Sequence, residues 1–78
     1  MYLPDATAVE SGLLSRLMLE GKINGKVLIH SSIIGYIEQR ALKGDFRGVR
    51  ELERARKIAE ERGISIELLN SGLSPSLG

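Results

Sequence analysis

Asp5 stands at the end of a short apolar run, Met1-Tyr2-Leu3-Pro4. A carboxylate there is a hard oxygen ligand suited to Mg²⁺ or Mn²⁺. In open α/β sheets, ligand sites lie outside the carboxyl ends of the parallel strands, which is where Asp5 would sit. Asp is also among the commonest helix N-caps, and an amphipathic segment starts just beyond it, so both roles are open. A metal centre that cleaves phosphodiesters converges several carboxylates on one or two ions. The candidate second carboxylate is Glu38, on the segment after the next apolar run. It lies one residue past Ile37, at the flank of a buried stripe, where pairing with Arg40 or Lys43 is the competing role. Arg47, Arg50, Arg54 and Lys57 recur at intervals of three and four and form one basic stripe, a pattern able to follow a phosphate backbone. Glu51, Glu53, Glu60 and Glu61 interleave at the spacing of intrahelical ion pairs, the pattern of a solvated helix face. His30 closes an apolar run, a place typical of a hydrogen-bonded structural residue. The chain has no P-loop, dinucleotide fingerprint, zinc spacing or nucleophile elbow.

The elements that must position these groups are legible from periodicity. Met1 to Pro4 reads as a first strand. Val9, Leu13, Leu14, Leu17 and Met18 follow helical spacing, with Asp5, or the pair Thr7 and Glu10 as a capping box, competing to start the helix and Gly21 ending it. Lys26-Val27-Leu28-Ile29-His30 reads as a strand buried on both faces, as in parallel sheets. Ser31 or Ser32 caps a second helix carrying Ile33, Ile34, Ile37, Ala41 and Leu42, which runs to Gly44. Asp45 caps a third helix, with Val49, Leu52, Ala55, Ile58 and Ala59 on its apolar side and Gly63 after it. Ile64 to Leu69 is the third strand. The expected fold class is therefore α/β in the order β-α-β-α-α-β, a three-stranded parallel sheet flanked by helices joined by right-handed crossovers. Residues 1–69 form the domain, and the polar, turn-prone residues 70–78 read as a flexible tail or linker.

Composition sets the outer bounds. Of 78 residues, 42% are hydrophobic, enough for one small aliphatic core, and the absence of Cys rules out a disulfide staple. Oligomerisation is the remaining way to bury more surface. A net charge of +1 makes no global demand for nucleic acid, although the segment from Arg40 to Arg62 is mildly basic. No apolar run approaches the roughly 18 residues of a membrane span, and the N-terminus lacks the order of a signal peptide, so a cytoplasmic chain with no membrane partner is expected.

The segment Tyr2-Leu3-Pro4-Asp5-Ala6-Thr7-Ala8 resembles the opening of a PIN domain. The likeness continues through Leu19-Glu20-Gly21-Lys22-Ile23, Lys26 to His30, Arg40-Ala41-Leu42-Lys43-Gly44 and Arg47-Gly48-Val49-Arg50-Glu51-Leu52, and is strongest to the N-terminal PIN part of archaeal PIN-domain ATPases. The resemblance implies a metal-dependent endoribonuclease fold in which Asp5 holds Mg²⁺ or Mn²⁺. The family's glutamate on the helix after the second strand falls at Tyr36, with Glu38 at a neighbouring acidic position. The later aspartates of the family belong to a segment beyond Leu69, so the chain reads as the N-terminal half of the fold, a truncated domain. The family's first strand is central, with later strands on its far side. That edge is then open, with Pro4 leaving one missing amide on it, and a homo-oligomer through an open sheet edge is expected. Two functions follow: a metal-dependent RNA hydrolase, weak or inactive alone, with Asp5 and Glu38 as its carboxylates and RNA along Arg47, Arg50, Arg54 and Lys57; or a non-catalytic interaction module of a larger ATPase-type protein.

Overall fold

The computed structural model describes residues 1–69, so the expected tail at 70–78 lies outside the described residues. The chain is α/β. Its elements are α1 (Ala6–Glu10), α2 (Leu13–Leu19), β1 (Lys26–His30), α3 (Ser31–Leu42), α4 (Arg47–Arg62) and β2 (Ser65–Leu69). The strands pair in parallel, with Val27 opposite Ile66 and Ile29 opposite Leu68.

The expected first strand is reduced to a single parallel bridge between Tyr2 and Val27. The Tyr2 amide donates to the Lys26 carbonyl at 3.0 Å and the Leu28 amide to the Tyr2 carbonyl at 2.9 Å. The next rung of a parallel ladder would run from the amide of residue 4 to the Leu28 carbonyl. Residue 4 is proline and has no amide hydrogen, so the ladder stops after one rung. The missing amide thus falls on the side facing β1, not on the open edge where the sequence reading put it. The described sheet has two strands and a bridge rather than three strands.

The single helix expected between the first two strands is two short helices. The chain turns at Ser11 and Gly12, and Gly12 takes a left-handed conformation (φ 84°) that a side chain would strain. Between the competing start signals, Asp5 is the cap: its Oδ1 accepts the Ala8 amide at 2.8 Å. At α3 the cap is His30 rather than a serine, with its Nδ1 accepting the Ser32 amide at 3.0 Å. Asp45 sits one residue before the Phe46 cap of α4 and accepts the Arg47 amide at 3.2 Å.

The core is Val9, Leu14, Met18, Val27, Ile29, Ile37, Ala55 and Ile58 with their neighbours, all drawn from the helices and one side of the sheet. Each large aliphatic side chain buried there contributes about 1.5–3 kcal/mol of transfer free energy. Where α3 meets α4, Gly48 lets the backbones close: a Cβ at that position would lie 2.8 Å from Cγ1 of the buried Ile37.

The sheet is covered on one side. Val27 and Ile29 are buried and Ile66 half-buried, on the face that meets the helices, where Leu68 at the outer edge alone of the four stays exposed. Residues of the opposite parity, Lys26, Leu28, His30, Ser65, Glu67 and Leu69, are all exposed or half-exposed. The topology explains this. From Tyr2 to β1 to β2 the chain steps twice in the same direction, and connections of one hand then place both helix pairs on the same face. The principal extents of 38 × 29 × 18 Å fit one helical layer on one sheet, since packed layers are about 10 Å apart. The expectation that β1 is buried on both faces therefore holds for one face only.

Candidate functional site

The carboxyl ends of the strands bring Asp5 and His30 to the same end of the sheet, each at the start of a helix. Both are engaged in capping. One carboxylate oxygen of Asp5 is taken up by the Ala8 amide, and the His30 ring contacts Ser32 through both the amide and the hydroxyl, the latter at 2.8 Å. Asp5 is exposed, as is Glu38 on the outer side of α3. Among the described residues, no three His, Cys, Asp or Glu side chains are grouped so as to hold a metal ion. Tyr36, where the family resemblance wants a carboxylate, is partly exposed, and its ring lies under the Arg40 guanidinium at 5.8 Å from the centroid.

The basic stripe on α4 divides. Arg47, Arg50 and Arg54 line a recess of about 260 Å³ with Glu10, Ser11 and Gly12 at the corner between α1 and α2, while Lys57 stands outside it. Two of the three arginines are already paired. Arg47 makes a two-pronged contact with Asp45, at 2.8 and 3.0 Å, and Arg54 donates to Glu51 at 3.1 Å. Arg50 has no ion pair among the described residues. The Arg47 guanidinium, helped by the Arg47 amide and by Arg40, holds the Asp45 carboxyl well below the usual carboxylate range, and Asp45 raises Arg47 in turn. Arg40 also lies 3.6 Å from Glu10, so one ionic chain, Glu10–Arg40–Asp45–Arg47, ties α1 to α3 and α4.

Glu51 has a role the sequence reading did not assign. It is 2% exposed, and its carboxylate reaches across to α2 to accept the Ser15 amide at 2.6 Å and the Ser15 hydroxyl at 3.0 Å. Gly12, the cap residue of α2, has no side chain with which to satisfy the first amides of that helix. Glu51 does it from 36 residues away. The signal was present in the spacing: Gly48, Glu51, Ala55 and Ile58 fall on one stripe of α4, so the glutamate occupies a core position.

No family model matches the chain, and no curated protein matches it. Among solved structures it is similar to a domain of a functionally unknown protein from Methanocaldococcus jannaschii, with a TM-score of 0.83 and 24% sequence identity. The likeness is one of fold. It covers 96% of this chain and 55% of that one, so this chain spans little more than half the length of the structure it matches.

Proposed function

We propose that this chain is the N-terminal half of a PIN-like fold acting as an interaction module, not as a self-sufficient nuclease. In this reading the Tyr2 segment is the third strand of the parallel sheet in the order Tyr2, β1, β2, and the work of the molecule is to present that incomplete sheet to a partner. The observation that carries it is the uncovered sheet face. Parallel sheets are found almost only with both faces covered, and here Leu28 and Leu69 share their side of the sheet with no helix among the described residues. Leu3, by the alternation that places Tyr2 with the core, falls on that side too and is 56% exposed.

The use of Asp5 supports the same reading. A carboxylate engaged as a helix cap, with Tyr36 where a second acid would stand, offers a divalent ion one free oxygen and whatever a partner brings. If Mg²⁺ or Mn²⁺ is held at all, Asp5 holds it and a second polypeptide completes the set, with Arg50 and Lys57 available to an RNA backbone. The test is Mn²⁺-dependent cleavage of single-stranded RNA by the purified chain and by Asp5→Asn, with the particle mass of each. The expected result is no cleavage by a folded, self-associated chain. Cleavage lost in Asp5→Asn at unchanged mass would refute the module and establish a metal-dependent nuclease.

A further inference from the structure

The geometry points to the outer edge of β2 as a self-complementary surface on which a second copy of this chain docks, strand against strand in antiparallel, to form a two-fold dimer. The inference rests on the interaction-module reading and adds to the uncovered sheet face a second surface, the strand edge beside it.

The Ser65 amide donates to the Gly25 carbonyl at 2.8 Å, which turns the backbone groups of Ser65 toward β1. In a parallel ladder alternate residues bond the same neighbour, so Ser65, Glu67 and Leu69 face β1, whereas the amides and carbonyls of Ile66 and Leu68 point outward. Among the described residues no strand meets them. Directly beneath that edge is a mainly apolar groove of about 280 Å³, formed by Ile29, Ile66, Glu67 and Leu68 of the sheet with Ile34, Leu52 and Arg56 of the two long helices. Open backbone groups and an apolar floor together are what an incoming strand needs: the ladder supplies affinity, and alternate side chains fill the groove.

The occupant follows from symmetry. An antiparallel pair centred on Glu67 sets Ile66 against Leu68 of the other copy, and Leu68 against its Ile66, so that all four outward groups of each β2 bond at once. Each copy then closes the edge of the other, which a head-to-tail addition cannot do. The incoming β2 has the required pattern, with Ile66 and Leu68 on the groove side and Glu67 on the other. The central contact sets two glutamates face to face. Each is met by its own Lys26, at 3.4 Å, which leaves the repulsion reduced but present.

These particulars fix the experiment. Leu68→Pro removes an amide that plays no part in the β1–β2 ladder, so the monomer keeps its fold, while the dimer loses two ladder bonds and two leucine contacts. By sedimentation, with circular dichroism as the check on folding, the wild-type chain is expected to be a concentration-dependent dimer. Leu68→Pro is expected to weaken it by roughly a hundredfold. Leu68→Lys, which places a charge on the edge without touching the backbone, moves in the same direction, and Glu67→Gln tightens the dimer severalfold. A folded Leu68→Pro chain as dimeric as wild type would overturn the assignment while leaving the module reading intact, since another surface would then be in use. A wild-type chain that stays monomeric at high concentration would overturn it too, and the RNA assay would then decide the fate of the module separately.

Discussion

Glu51 offers the sharpest quantitative test of how the helices are held together. Its carboxylate makes two hydrogen bonds to Ser15 and one to Arg54. The Arg54 side chain is 60% exposed, so that pair adds at most about 1 kcal/mol. The contacts to Ser15 are charge-assisted and sealed from water, and each is worth about 1.5–3 kcal/mol. Replacing Glu51 by Ala removes them, strands the Ser15 amide in a dry site and leaves a void, for a loss of about 3–5 kcal/mol. Gln at the same position can still accept the amide, and the Ser15 hydroxyl can rotate to accept from the new NH₂ group. What it loses is the charge and the Arg54 contact, so its cost is about 1–2 kcal/mol. Ser15→Ala forfeits the hydroxyl bond and gains about 0.5 kcal/mol of helix propensity, for a net cost of about 1–2.5 kcal/mol. Urea titrations followed by circular dichroism give the three values, and thermal melts should follow at about 4–8 °C per kcal/mol. The expected result is that Glu51→Ala costs most, with Glu51→Gln and Ser15→Ala each costing clearly less. A Glu51→Ala chain within about 0.5 kcal/mol of wild type, inside the usual range of a surface substitution, would refute the claim that this carboxylate caps α2.

Gly48→Ala should destabilise by about 1–2 kcal/mol in the same titration, because the clash with the β-branched Ile37 outweighs the roughly 1 kcal/mol that Ala gains over Gly in a helix. Asp5→Ala should cost about 1 kcal/mol through loss of the α1 cap, whereas Asp5→Asn, itself a good cap, should cost a few tenths, which keeps the RNA assay a test of chemistry and not of folding. The Asp45 carboxyl is held low by Arg47 and Arg40, so its contribution is complete above the ordinary carboxylate value near 4 and is lost as pH falls toward its depressed folded value. Acid titrations of wild type and Asp45→Asn should therefore converge at low pH and separate above it, and added salt should narrow the gap because the pair is exposed.

What the sequence made legible was what depends on neighbours in the chain. Lys26–His30 is the strand read from its β-branched run, and α3 and α4 occupy the segments whose apolar spacing announced them. Losses came where a local signal met a distant partner. The Met1–Pro4 run looks like a strand, yet whether Pro4 harms it depends on which side of the strand its nitrogen faces, and that is fixed by pairing with β1. Gly12 sits inside a sound helical pattern, and the break there is tolerated because Glu51 stands ready across the interface. Glu51 itself was read as one of several solvated carboxylates because its pairing with Arg54 is real, and only its place on the stripe with Ala55 and Ile58 marked it as buried. For the candidate site, the sequence identified the right end of the sheet for Asp5 and the common face of Arg47, Arg50 and Arg54, while the capping and pairing that occupy those groups depended on geometry.

The Glu51–Ser15 contact also bears on the order in which the molecule assembles. A seven-residue helix is far below the length at which an isolated helix survives in water, and α2 begins at a glycine with no side chain to accept its first amides. It therefore gains a persistent start only once α4 has folded and docked. The 16-residue α4 has the better claim to form early, and α2 should crystallise onto it as a late, dependent turn. In rate measurements, truncating Glu51 would then chiefly hasten unfolding, leaving the speed of folding nearly as it was.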